Sequence, residues 1–231
     1  MKMLRNILLL LLFLSPLVNA QEDEVDKNTL TFPLDTTDAL TVNRVIASAE
    51  KYDGRDAVHI IEDPNSKGAG ADRLATLQGS DITDAVIEVD VVGIPAANAG
   101  ANARGFAGVA FRVDTDGKKF ECIYLRPTNG RAEDPVRRSH AVQYESIPKY
   151  PWHKLRRETP GKYENHADLV PGQWTNVKIN VTGTTAKLYL DGAEEPSLVV
   201  EDLKLGKTHG AVALWIGPGT DAYFSNLTIR K

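Results

Sequence analysis

The densest concentration of side chains able to do chemistry lies between Arg126 and Arg157. Eight basic residues stand there: Arg126, Arg131, Arg137, Arg138, Lys149, Lys154, Arg156 and Arg157. The acids in or beside the stretch are Glu133, Asp134, Glu145 and Glu158, which leaves a local surplus of about four positive charges. His140 and His153 add imidazoles whose ordinary titration falls near neutrality. A guanidinium presents a planar fork of donors that matches carboxylate or sulfate-like oxyanions. Tyr150 and Trp152 supply flat apolar faces in the same stretch, and Gln143 and Tyr144 add neutral polar groups. Arg126, Arg131, Arg137, Arg138, Gln143, Tyr144, Trp152, His153 and Arg156 are therefore the candidate ligand-binding residues. Two outcomes stay open: the arginines meet a ligand, or they pair with Glu133, Asp134 and Glu158 and hold the segment down.

A second candidate sits on a hairpin. In Phe106–Val113 the apolar Val109, Phe111 and Val113 alternate with Gly108, Ala110 and Arg112, so a strand there has one core face and one low outer face carrying Arg112. The following strand returns through the Asp114–Gly117 turn, and its register decides what Arg112 meets. A two- or four-residue loop places Glu121, Ile123 and Leu125 on the Arg112 face; a three-residue loop places Phe120, Cys122, Tyr124 and Arg126 there. The first is favoured, because Phe120, Cys122 and Tyr124 make the better core set and Glu121 gains a cationic partner. Arg112 is then either a ligand-binding residue or half of a sheet-stabilising pair. If the protein does acid–base chemistry, Glu121 and His140 are the candidates. Glu88 and Asp90 share a strand face but read as a solvated surface. No zinc or calcium spacing, phosphate loop or serine nucleophile elbow is present, so neither metal nor cofactor is expected.

Short strands must position these groups. Runs of β type recur at Val42–Ala49, Ala57–Glu62, Ala85–Val92, Phe106–Val113, Lys119–Arg126, Ala141–Glu145, Trp174–Thr182, Thr185–Asp191, Gly210–Ile216 and Ala222–Ile229. In Val177-Lys178-Ile179-Asn180-Val181 the apolar side chains share one face. Asp116-Gly117 and Asp191-Gly192 are hairpin-type turns. No segment of ten or more residues keeps a helical apolar period, so the fold class is all-β, a sandwich or closed barrel. Pro127–Pro171 carries Tyr144, Tyr150, Trp152 and Tyr163, aromatics that disordered segments lack, and reads as a long ordered loop covering a sheet.

The N-terminus reads as an export signal. Lys2 and Arg5 precede the apolar Ile7–Leu14 run, Ser15-Pro16 breaks it, and Val18-Asn19-Ala20 offers small residues for cleavage after Ala20. The run is too short to span a bilayer, which takes roughly 20 residues. Residues 1–20 are thus a signal peptide and 21–231 a single β-sandwich domain, secreted or periplasmic, without a membrane span. Removing Lys2 and Arg5 leaves 25 basic against 31 acidic side chains, an acidic balance that argues against a nucleic-acid partner. Cys122 is the only cysteine, so no internal disulfide forms, and it reads as a small buried hydrophobe.

From Ala85 onward the chain resembles the concanavalin A-like lectin/glucanase superfamily. Within it the chain is similar to exported bacterial domains of the 3-keto-disaccharide hydrolase type and to laminin-G-like domains. The resemblance rests on Gly108-Val109-Ala110-Phe111-Arg112, Phe120-Glu121, Pro171-Gly172-Gln173-Trp174, Leu188-Tyr189-Leu190-Asp191-Gly192, Gly210-Ala211-Val212-Ala213-Leu214 and Phe224-Ser225-Asn226-Leu227. It implies a two-sheet antiparallel jelly-roll whose concave sheet receives an oligo- or polysaccharide, acidic in view of the arginines, and it places Arg112 and Glu121 on that face. It implies either a glycoside-cleaving hydrolase or lyase, or a lectin-like module without chemistry; a protein-binding envelope domain is the third alternative. One departure bears on catalysis. Where the hydrolase family continues its Gly210–Leu214 strand into a Gln-Asp-His-Gly type segment, this chain reads Trp215-Ile216-Gly217-Pro218-Gly219.

Overall fold

The structure is a computed structural model that describes residues 28–66 and 70–231; the expected signal peptide lies outside the described residues. The strands in chain order are β1 (Thr29–Phe32), β2 (Leu40–Asn43), β3 (Val45–Tyr52), β4 (Arg55–Glu62), β5 (Leu74–Leu77), β6 (Ala85–Pro95), β7 (Ala107–Val113) and β8 (Phe120–Leu125). They continue with β9 (Val142–Ile147), β10 (Glu164–Asn165), β11 (Thr175–Thr182), β12 (Thr185–Leu190), β13 (Leu198–Val200), β14 (Ala211–Ile216) and β15 (Thr220–Arg230). Three short helices, α1 (Pro127–Gly130), α2 (Pro135–Arg138) and α3 (Trp152–Glu158), interrupt them. An eight-stranded sheet runs β13-β12-β11-β6-β15-β4-β3 with β1 beside β15, and a seven-stranded sheet runs β10-β9-β8-β7-β14-β5-β2. Every pairing is antiparallel, which makes the molecule a two-sheet jelly-roll sandwich.

Alternation builds the core. Ile87, Val89, Val177, Ile179, Val181, Phe224 and Ile229 of one sheet meet Val109, Phe111, Ile123, Tyr144, Val212 and Leu214 of the other, all buried. Truncating one of the buried phenylalanines to Ala costs about 3–5 kcal/mol in such a core. The expected Val42–Ala49 strand is two strands: Arg44, with φ 60°, turns the chain between them so that β2 joins one sheet and β3 the other. The expected Pro127–Pro171 loop is partly sheet, because β9 and β10 extend the seven-stranded sheet beyond β8.

The hairpin register corrects the expectation for Glu121. The loop is the four-residue kind, with Asp114 N–H donating to Lys119 O (3.0 Å) and the Asp114 carboxylate accepting from Lys118 and Lys119 N–H. Yet Phe111 pairs with Glu121, Ala110 with Cys122 and Gly108 with Tyr124. Arg112 is an extra residue in β7, with left-handed φ 52°, and the pairing to β14 also slips by one there. A bulge exchanges the faces of everything beyond it. Glu121, Ile123 and Leu125 therefore point into the core, and Phe120, Cys122 and Tyr124 lie on the outer face beside Ala110 and Trp215.

Candidate functional site

A cleft of about 1080 Å³ opens on the outer face of the seven-stranded sheet, at the upper end of the size range of ligand sites. Its floor is aromatic because Gly108 makes room. A Cβ on Gly108 would stand 2.3 Å from Ile123 O and 2.6 Å from Tyr124 Cβ, so only glycine lets Tyr124 lie close across β7. The Tyr124 ring reaches that of Trp215 (centroids 4.6 Å), whose Nε1–H donates to Ala71 O at 2.7 Å. One wall is the segment before β7, where Gly93 and Gly105 approach so closely that a Cβ on Gly93 would meet Gly105 O at 2.1 Å; it brings Arg104 and Phe106 to the cleft. Adjoining it are α1, with Asn129, α2, with Arg137, and His140 just after α2, while α3 adds Trp152, His153 and Arg156.

Three guanidiniums of this cleft have no carboxylate partner among the described residues. Arg126 sits among the rings of Phe106 (5.7 Å), Tyr124 (5.4 Å) and Trp152 (5.2 Å) and donates only to Tyr124 Oη at 2.9 Å, leaving a buried Nε unpartnered. Arg104 donates to the carbonyls of Ala101 and Ala103. Arg137 donates to Asn129 Oδ1 at 3.0 Å and to Thr128 O and Oγ1 at 3.2 Å. Burial and then the charges of Arg137 and Arg126 pull the Arg104 pKa below its ordinary value. Like charges are thus held together around an opening, and an incoming anion relieves them.

Two acid–base groups share the cleft. Glu145 on β9 is 3 % exposed, and one of its oxygens accepts from Trp152 N–H at 3.1 Å. Burial pushes its carboxyl up to about 7, against smaller opposing effects of that hydrogen bond and of Arg126. His140 Nε2 lies 3.3 Å from Glu164 Oε1. Arg156 grips the same carboxylate with Nε (3.0 and 2.8 Å) and Nη2, and its Nη2 also donates to Gln143 Oε1 at 3.1 Å. Burial lowers the His140 pKa; Glu164 and Asp134 oppose this, while Arg156 and Arg126 add to it.

Of the residues expected from sequence, Arg126, Arg137, His140, Trp152, His153 and Arg156 line this cleft. Gln143 is buried behind it and holds Arg156, with its amide donating to Tyr144 O and Tyr163 O. Arg131 is exposed and bidentate to Asp168 (2.6 and 3.0 Å), and Arg138 binds the carbonyls of Ala132 and Glu133; neither lines the cleft. Arg112, Glu121 and Tyr144 are corrections of placement: all three lie within the sandwich. Arg112 donates to the carbonyls of Thr83, Gly183 and Gly206. Glu121 accepts from Tyr144 Oη–H (2.6 Å) and Leu205 N–H (2.7 Å), and Tyr144 Oη accepts from Lys204 N–H. The network ties the Lys204–Gly206 turn over the end of the core, and the bulge at Arg112 is what turns it inward. Arg73, Arg104, Phe106, Tyr124, Glu145 and Trp215 line the cleft without having been singled out. The alternation Gln143, Glu145, Ile147 on β9 was the signal for Glu145.

No protein-family model and no curated protein matches the sequence. Solved structures do match the fold. A carbohydrate-binding module, CBM66, from Bacillus subtilis is 14% identical, with 83% of this chain and 98% of that one covered and a TM-score of 0.51. A Bacillus subtilis protein of unknown function with a galectin-like fold is 9% identical over 87% of this chain and 94% of its own, with a TM-score of 0.56. A candidate glycosyl hydrolase from Parabacteroides distasonis is 13% identical over 87% and 99%, with a TM-score of 0.52. The likeness is one of fold: the chain shares the two-sheet antiparallel sandwich of these structures.

Proposed function

We propose that this is an exported carbohydrate-binding sandwich, secreted or periplasmic, whose cleft takes an acidic oligo- or polysaccharide. The observation that carries the reading is the trio Arg104, Arg126 and Arg137, which share one cleft and make no ion pair with a carboxylate among the described residues, although Asp134 and Glu145 line the same cleft. Aromatic faces at Tyr124, Trp152 and Trp215 suit the apolar faces of sugar rings, while the guanidiniums suit carboxylate or sulfate substituents. The likeness in fold to a carbohydrate-binding module agrees with this. No helix among the described residues is long and apolar enough to cross a membrane. The overall acidic balance fits a sugar better than a nucleic acid.

A glycan array on the mature chain, followed by calorimetry in low and high salt, tests the reading. Uronic or sulfated oligosaccharides are expected to bind, and to bind more weakly as the screening length falls from about 10 Å at 0.1 M to about 3 Å at 1 M. Arg137→Ala is expected to lower affinity about tenfold or more, and Arg138→Ala to leave it unchanged, since a charge-assisted hydrogen bond is worth about 1.5–3 kcal/mol. Equal, salt-independent binding of neutral glycans overturns the acidic ligand.

A further inference from the structure

We propose that the cleft also breaks the chain it holds, cleaving beside a uronate by β-elimination, with His140 as the base and Glu145 as the acid at the leaving oxygen; this rests on the acidic-saccharide reading above. Glu164 accounts for His140. His140 Nε2 lies 3.3 Å from a nearly buried carboxylate that Arg156, itself held by Gln143, fixes in place; with the ring proton on Nε2 facing that carboxylate, the tautomer the step requires, Nδ1 is the lone-pair nitrogen of a ring that lines the cleft. Burial and the charges of Arg126 and Arg156 favour the neutral ring, against Glu164 and Asp134. Glu145 is the complementary group. It pairs with Cys122 of the neighbouring β8, with Tyr124 and Arg126 nearby, and among the described residues it accepts a hydrogen bond from the Trp152 N–H. A carboxyl so placed stays protonated to about pH 7 and has a proton to give.

The sign of the surrounding charge selects the reaction. Hydrolysis of a glycoside passes through an oxocarbenium-like, positively charged transition state, which Arg104, Arg126 and Arg137 would oppose. Elimination passes through a negative one, with charge moving from C5 onto the uronate carboxylate, and guanidiniums aimed at developing negative charge stabilise it. In the proposed step His140 Nδ1 takes the C5 proton. The C5–H electrons become the C4=C5 double bond, the C4–O4 bond breaks, and Glu145 gives its proton to O4. The products are an unsaturated uronate end and a free hydroxyl; no water is consumed and nothing is oxidised or reduced overall. Proton exchange with solvent then resets both groups.

The mature chain is to be incubated with oligo-galacturonate, oligo-mannuronate, oligo-guluronate and chondroitin oligosaccharides. The ultraviolet absorbance of the conjugated double bond and product masses report chemistry, and calorimetry reports binding. The expected result is unsaturated products from at least one substrate. His140→Ala and Glu145→Gln should each lower turnover about 10²-fold or more while affinity changes less than about threefold. Binding without product overturns the elimination and leaves the binding reading standing. Products heavier by one water show hydrolysis and overturn the elimination too. Undiminished turnover in both variants overturns the residue assignment. No binding to any of these probes removes both readings.

Discussion

The two outer faces of the sandwich carry similar furniture and treat it differently. On the eight-stranded sheet His59, Tyr223 and Tyr52 stack in sequence (4.3 and 4.2 Å between centroids), Trp174 meets Tyr52 edge-on at 5.9 Å, and the Arg55 guanidinium lies 4.6 Å from the Trp174 ring. On the seven-stranded sheet Arg126 lies 5.2 Å and Arg156 4.8 Å from the Trp152 ring. Each face also places a carboxyl close to its arginine. Asp90 receives Arg55 (2.6 Å), Asn176 (3.0 Å) and Asn226 (3.1 Å), whereas Glu145 receives the Trp152 N–H alone among the described contacts. Arginine over an aromatic ring therefore does not mark a site by itself. The distinguishing feature is whether the charges have been matched within the fold: on the cleft face Arg156 is matched by Glu164, while Arg104, Arg126 and Arg137 make no ion pair with a carboxylate among the described residues.

The largest expected effect tests that mismatch at Glu145. Its folded pKa is raised to about 7 from 4.5, so the folded state holds a proton that the unfolded chain has released. The associated stability is fully present below about pH 4.5 and is lost as pH rises through about 7, a swing of roughly 3 kcal/mol at 1.36 kcal/mol per pKa unit. Urea denaturation of residues 21–231 at pH 4.5 and 8 is expected to show this component in the wild type and its absence in Glu145→Gln. Asp90→Asn, on the matched face, should leave it in place. The same pH dependence in wild type and Glu145→Gln would show that Glu145 is ionised in the fold.

Next in size is the difference between Arg126 and Arg55, each beside aromatic rings but on opposite faces. Arg126→Ala removes a cation from the unmatched trio and is expected to weaken acidic-oligosaccharide binding by about tenfold to a hundredfold, the worth of one charge-assisted hydrogen bond of about 1.5–3 kcal/mol. Arg55→Ala should not change that affinity. Calorimetry on both variants, normalised to the folded fraction, decides it. Equal losses would mean that ligand reaches both faces.

Much of the frame was legible in the sequence, because alternation in strands such as β11 and β12 is a local property. What the sequence hid has physical causes at particular residues. Arg44 and Arg112 adopt left-handed φ of 60° and 52°, conformations usual for glycine or asparagine, so neither announces a strand break or a bulge. The bulge at Arg112 moved Glu121 into the core and brought Tyr124 to the cleft floor. Arginine pairing was equally hidden: Arg131 finds Asp168, 37 residues away, while Arg137 finds only Asn129 and Thr128. Which cations stay unmatched is settled by tertiary contacts, and that is where the sequence-based ligand set divided into cleft residues and scaffold.

The smallest expected effect concerns what the matched face is for. Arg55 reaches Asp90 at 2.6 Å with its side chain 40% exposed, and covers Trp174, whose ring meets Tyr52 edge-on. A partly exposed pair contributes about 0–1 kcal/mol, and a cation–π contact at such a site about 0.5–1 kcal/mol. Arg55→Ala should therefore lower unfolding free energy by about 1 kcal/mol, with the loss growing smaller in high salt as the ionic part is screened. Arg55→Met, which keeps an apolar stem over the indole, should recover part of it. Asp90 keeps its two asparagine donors in either variant, so no buried charge is stranded and the effect stays small. A loss of several kcal/mol from Arg55→Ala, independent of salt, would show that Arg55 holds more than one surface pair and that the eight-stranded face is not a neutralised version of the cleft.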